Sequence, residues 1–312
     1  MEKEIKIAII GIGGVGGYLG AMLARRYSPE SPVKLYFIAR GAHGDILKRN
    51  GITLQSKRNG KFTAKPALVT DNAAECGTMD YIIYCTKSYD VENGIKNILP
   101  AIGPETVILP FMNGVDGTET IKKMLPGHTI WDGCVFIMAY ISAPGIICEE
   151  GTMLSYYFGS KNDNDFRMSV FEKICTDAGI AMSCRKDIEL RVWNKFSYIS
   201  PLATLSTRYN LTAGQITQSP HYSELIKELY REFLSVAQAK KVEISDNIET
   251  DNLEKLHKTP TGMTTSMQRD FYKGKTTELE SLTGYIVREG KRLHVPTPLY
   301  EKLYDEIKSI RL

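Results

Sequence analysis

Residues 5–17 read IKIAIIGIGGVGG: a short, mostly apolar run that goes straight into a glycine-rich loop. A compact apolar run bounded by glycines has the pattern of a strand buried on both faces. The residues that follow, YLGAMLARRY at 18–27, have helical spacing, so the loop joins a strand to a helix. Gly11, Gly13 and Gly16 fit G-x-G-x-x-G in that setting. Gly11 allows the tight turn, Gly13 lets the backbone approach a pyrophosphate, and Gly16 lets the helix pack close to the strand. The helix N-terminus adds unpaired N–H groups and a positive dipole end. Gly11, Ile12, Gly13, Gly14, Val15 and Gly16 together form the candidate dinucleotide-binding segment.

The same alternation continues outward. VKLYFIA (33–39), YIIYC (81–85) and TVILPF (106–111) are further strand-like runs, with a helical pattern in YDVENGIKNIL (89–99). Strands alternating with helices predict a parallel sheet of βαβ units. Between 129 and 160 the chain turns strand-rich, which suggests antiparallel additions to the sheet edge. After about residue 186 the strand signals stop. The segments 187–206, 221–241, 246–257, 262–273, 277–292 and 297–311 all have helical patterns. The expected fold is an α/β Rossmann-type N-terminal domain over 1–186, followed by an all-helical C-terminal domain over 187–312.

Composition narrows the function classes. With 43% hydrophobic and 24% charged residues, the chain has an ordinary globular makeup. A net charge of +3, with no basic block interleaved with aromatics, argues against a nucleic-acid partner. No apolar run is long enough to span a membrane, and MEKEIKIAIIG does not have the pattern of a signal peptide. The six cysteines and five histidines show no metal-ligand spacing, so no metal site is expected, and the cysteines read as reduced thiols of a cytoplasmic protein.

The second expected strand ends FIARG, with Arg40 where an NAD site usually carries an acid for the ribose 2′-hydroxyl. An arginine there suits a 2′-phosphate and so NADP(H), although a solvated loop arginine would look the same. Lys87 and Asn113 follow later strands, at the ligand edge of a doubly wound sheet. Lys87 reads equally as a solvated lysine, and Asn113-Gly114 as a simple turn. In IELRVWNKFSYISPLATL (188–205), Lys195 shares a helical stripe with Ile188, Val192 and Ile199. Either the side chain snorkels to water, or the ammonium faces an interdomain cleft where it does chemistry. Glu278 stands one turn before Leu282, near an apolar helical face, where an acid can partner a lysine or simply complement the helix dipole. Gly284 in mid-helix, at a cost of about 1 kcal/mol relative to alanine, suggests close approach by a neighbour.

In this order, the set resembles the ketopantoate reductase (2-dehydropantoate 2-reductase) family over almost the whole chain. The local contexts VWNKF around Lys195, SMQRD before Glu278 and HVPTPLYEKLY near the end are similar too. The resemblance implies NADPH/NADP+ as cofactor, with Gly11, Gly13, Gly16, Arg40, Lys87 and Asn113 on the cofactor side. It implies Lys195 and Glu278 as catalytic residues, and Asn113, Lys195, Ser266 and Glu278 as contacts to a small 2-oxo acid. The implied reaction is reduction of ketopantoate to pantoate in pantothenate and coenzyme A biosynthesis, with a homodimer as an allowed assembly. The resemblance departs at Ile199 and Ala203, where members usually carry asparagines on the lysine's own face. A gapped alignment sets Ser200-Pro201 against Asn-Pro instead. The departure leaves a different 2-oxo acid, another Rossmann-type dehydrogenase, or a non-catalytic NADP-binding sensor as alternatives.

Overall fold

A computed structural model describes residues 4–151, 153–161, 164–245 and 247–310. Thr152, inside the strand-rich stretch, and Asp246 and Arg311, at the ends of two expected helices, lie outside the described residues. The chain divides into two compact units, 1–112 with 117–188, and 113–116 with 189–312.

The first unit opens with β1 (Ile5–Ile10), α1 (Gly14–Arg26), β2 (Val33–Ile38) and α2 (Gly41–Asn50). The hairpin β3 (Ile52–Ser56) and β4 (Gly60–Ala64) follows, then β5 (Leu68–Thr70), β6 (Tyr81–Tyr84), α3 (Val91–Ile98) and β7 (Val107–Pro110). After α4 (Asp116–Met124) come β8 (Thr129–Ile130), β9 (Asp132–Phe136), β10 (Ala139–Ala143), β11 (Ile146–Glu149), β12 (Ser155–Gly159), α5 (Arg167–Asp177) and β13 (Met182–Cys184). The main sheet runs β5-β2-β1-β6-β7-β8, and every neighbouring pair is parallel. Its central strands β6 and β7 are buried at every position, as their unbroken apolar runs predict.

The strand-rich stretch differs from expectation. Only β8 joins the main sheet, and it does so in parallel. The rest builds two further sheets, β10-β11-β3-β4 and β13-β12-β9. The cause is a long-range pairing: β11 lies parallel to β3, with Ile146 opposite Thr53, which gives the β3–β4 hairpin a partner. Helix α1 is accordingly buried at every position from Gly16 to Ala24. A Cβ on Gly20 would sit 2.8 Å from the Phe37 ring of β2, and one on Gly17 would sit 2.6 Å from Ile147 of β11. The glycines beyond the loop therefore let a helix pack against two sheets at once.

The second unit contains α6 (Ile188–Tyr209), α7 (Ala213–Gln218), α8 (Pro220–Ala239), α9 (Ile248–Lys258), α10 (Ser266–Tyr272), a π-helical turn (Glu280–Gly284), α11 (Tyr285–Leu293) and α12 (Pro298–Ile310). Trp193 and Phe196 of α6 meet Phe233 of α8 and Tyr285 of α11, with Phe196 to Phe233 ring centroids 5.1 Å apart. Glu232 of α8 accepts from the N–H groups of Leu299 and Tyr300 at 2.8 and 2.9 Å and so caps α12 from another helix. Among the described residues no helix is long and apolar enough to cross a membrane.

Glu289 of α11 accepts from Arg292 at 2.7 Å and from Lys240 at 2.9 Å. These cations, Arg292 first, hold its carboxyl down from 4.5 to about 2. The folded value is depressed, so the stabilisation is present above pH 4.5 and is lost as pH falls through about 2. With one partner exposed, the pair contributes about 2 kcal/mol. Glu289→Gln should lower stability at pH 7 by that order and flatten the acid limb of a chemical-denaturation series.

Candidate active site

The glycine loop belongs to the first unit. Gly11 has φ +83°, and a Cβ there would lie 2.8 Å from the Cys85–Thr86 backbone, so the loop passes directly over the end of β6. At Gly16 a Cβ would meet the Gly11 carbonyl oxygen at 2.3 Å and the Cys85 side chain at 3.0 Å, so α1 packs closely on the loop and on the residue that follows β6. Gly13 is the opposite case: nothing lies within 4 Å of a Cβ built there. It caps α1 beside open ground, and the first turn of α1 carries no acid. Unhindered backbone at a helix N-terminus is what a pyrophosphate requires, so these residues fit a dinucleotide. Cys85, beside the loop, packs against the first unit's core, and burial pushes its thiol up.

Arg40 caps α2 at the end of β2, with its side chain 80% exposed. Its guanidinium lies 4.0 Å from Asp90, a loose surface pair that leaves it able to take an anion. Lys87 is half-buried and caps the short turn Ser88–Asp90 after β6.

The second unit assembles the other candidates. Residues 113–116 group with the helices and not with the sheet whose strand they follow. The Lys195 ammonium donates to Asn113 Oδ1 at 2.9 Å. Asn113 Nδ2 in turn donates to Glu278 Oε2 at 3.5 Å. Asn113 therefore joins the lysine of α6 to the glutamate before the π-helical turn, across 82 and 165 residues of sequence. Trp193 and Phe196 take the core face of α6, whereas Val192, Lys195 and Ile199 form a half-buried flank. The lysine's stripe is thus the rim of the core, where an ammonium keeps polar company. Glu278 is only 3% exposed. Ser266 opens α10, half-buried, and the structure does not hydrogen-bond its hydroxyl to Asn113, Lys195 or Glu278.

Two contacts of the loop escape sequence reasoning. Gly14 faces β10 at its α-carbon: a Cβ would fall 2.0 Å from the Ala139 carbonyl oxygen. His43 of α2 accepts from the Gly145 N–H through Nδ1 at 3.1 Å. Burial pushes the imidazole below its usual value, and the Ile12 backbone opposes that shift. The ring thus ties the β10–β11 turn to α2. GAHG after Arg40 contains the residue, but no spacing announces the role.

Two family descriptions match this chain: ketopantoate reductase PanE/ApbA over residues 7–163, and ketopantoate reductase PanE/ApbA C terminal over residues 187–311. The crystal structure of 2-dehydropantoate 2-reductase from Porphyromonas gingivalis W83 is 37% identical with a TM-score of 0.85, covering 98% of this chain and 100% of that one. The uncharacterized oxidoreductase YkpB of Bacillus subtilis (strain 168) is 26% identical over 305 residues, 97% of this chain and 98% of its own. A ternary structure of D-mandelate dehydrogenase with NADH and anilino(oxo)acetate shares the fold, with a TM-score of 0.83 at 23% identity, covering 98% of each chain.

Proposed function

The chain belongs to the ketopantoate reductase PanE/ApbA family, and from that membership we propose that it reduces ketopantoate to pantoate with NADPH, Lys195 delivering the proton. It is an oxidoreductase of that family. In this reading residues 1–186 carry the cofactor and 187–312 carry the substrate. The bound cofactor supplies the hydride, and the chain does the rest. The Gly11–Gly16 loop takes the pyrophosphate, Arg40 the 2′-phosphate, and Lys87 a further anionic group. The Lys195 ammonium protonates the ketone oxygen as negative charge grows there. Asn113 fixes the lysine's direction, Glu278 accepts from the substrate hydroxyl, and Ser266 engages the carboxylate end. The observation that carries this reading is the Lys195–Asn113–Glu278 chain, with Lys195 Nζ 2.9 Å from Asn113 Oδ1.

A second reading, another small 2-oxo acid, rests on Ile199 and Ala203. One and two turns beyond Lys195, α6 presents apolar side chains, with Ala203 only 2% exposed. The similar D-mandelate dehydrogenase is described with NADH, so the family scaffold is not tied to one substrate or one nicotinamide. NADPH oxidation with ketopantoate beside other 2-oxo acids decides between them. The expected result is ketopantoate turnover well above the rest of the panel. Turnover confined to a different oxo acid would overturn the substrate. NADPH binding with no turnover of any oxo acid would overturn the catalytic reading in favour of a sensor.

A further inference from the structure

The π-helical turn Glu280–Gly284 starts two residues after Glu278. A π turn is a rare widening of a helix, found mostly as a single-turn bulge inside an α-helix and frequently at functional sites. Here three buried hydroxyls from α6 and α12 meet it, linked to that of Thr283 within it. Ser200 Oγ donates to the Leu282 carbonyl at 2.7 Å and lies 2.7 Å from Tyr300 OH. Thr204 Oγ1 donates to the Ser200 carbonyl at 2.8 Å and lies 2.7 Å from Thr283 Oγ1. Ser200, Thr204, Thr283 and Tyr300 are all 0% exposed. Each hydroxyl has one proton to give. Ser200 and Thr204 spend theirs on carbonyls, so Tyr300 donates to Ser200 and Thr283 donates to Thr204. Two one-way chains result, Tyr300 to Ser200 to the Leu282 carbonyl, and Thr283 to Thr204 to the Ser200 carbonyl.

The other side of the turn faces the candidate site. A Cβ built on Gly114 would stand 3.4 Å from the Ser281 carbonyl oxygen, so the turn lies against the Asn113-Gly114 backbone. The Leu282 N–H donates to the Glu278 carbonyl at 2.9 Å, which ties the glutamate's backbone to the same turn. We infer that Ser200, Thr204, Thr283 and Tyr300 are positioning residues that hold residues 280–284 in the π form and so set where the Glu278 carboxylate meets Asn113 and, through it, Lys195. Returning the turn to α geometry removes one residue from the bulge, which swings Glu278 by about 100° around the helix axis. This inference rests on the reading of Lys195 and Glu278 as catalytic.

The test uses the full chain carrying Thr204→Val with Thr283→Val. Replacing both partners of a buried hydrogen bond with apolar groups of like shape is close to neutral for stability. The expected result is an unchanged melting temperature and NADPH affinity, a shifted pH profile of kcat, and kcat lower by about a hundredfold on the best oxo acid of the panel. Thr283→Ser, which keeps the hydroxyl, should retain activity. Amide exchange over 278–284 should quicken in the double variant, a readout that needs no turnover. Wild-type kcat, pH profile and exchange in the double variant would overturn the inference. If that variant fails to fold, Tyr300→Phe keeps the ring and is read on the same terms. Glu278→Gln separates the two failures. Full activity in it removes the catalytic reading itself, whereas an inactive Glu278→Gln beside a fully active double variant removes the positioning role alone.

Discussion

Lys195→Ala is expected to lower kcat by roughly a thousandfold while leaving NADPH affinity within twofold, because a positioned general acid contributes about 10²–10⁴. The fold should tolerate the change. Lys195 is on the half-buried flank of α6, not in the Trp193–Phe196 core, and alanine is the better helix former. Asn113 Oδ1 loses its donor, but the contact is only part-buried, so water can replace it. Lys195→Arg sharpens the test. Arginine keeps the positive charge but does not give up a proton at accessible pH. If the ammonium acts by proton transfer, the arginine variant is nearly as slow as the alanine one. If it acts by charge alone, the arginine variant recovers most of the rate. Near wild-type kcat in Lys195→Ala, measured by single-turnover NADPH oxidation, would remove the lysine from the mechanism.

How early each part of this site could be seen depends on how local its cause is. The β1–loop–α1 unit is legible because strand, glycines and helix follow one another within some twenty residues, and Gly11 and Gly16 each have a steric reason near by. Arg40 is legible as a missing acid at one position. Lys195 stands out because it interrupts an apolar stripe. What binds these residues is not local. Asn113 meets Lys195 across 82 residues and Glu278 across 165, and no periodicity encodes either meeting. The second sheet is hidden for the same reason. β3 pairs with β11 across more than ninety residues, and no local pattern encodes that partner. The 277–292 helical pattern is real, yet its first turn is π because tertiary hydroxyls hold it, and residue spacing alone predicts an α-helix.

Arg40→Asp should exchange the preferred cofactor. A guanidinium on a 2′-phosphate makes two charge-assisted hydrogen bonds, each worth about 1.5–3 kcal/mol, so losing the pair and adding a like charge raises the NADPH KM by about 100-fold or more. The aspartate that replaces it accepts from a ribose 2′-hydroxyl, so the NADH KM should fall. Stability should barely move. The side chain is 80% exposed and its nearest acid, Asp90, is 4.0 Å away, a surface pair worth well under about 1 kcal/mol. Neither kcat should change much, because Arg40 stands outside the Lys195–Asn113–Glu278 chain proposed to handle the proton. Salt provides an independent check. Added salt should weaken NADPH binding to the wild-type protein more than NADH binding, and the difference should vanish in the variant. An unchanged NADPH KM in Arg40→Asp would mean that the exposed guanidinium is only a solvated loop residue. The absence of an acid after β2 would then indicate loose discrimination between the two nicotinamides and not a preference for the phosphorylated one.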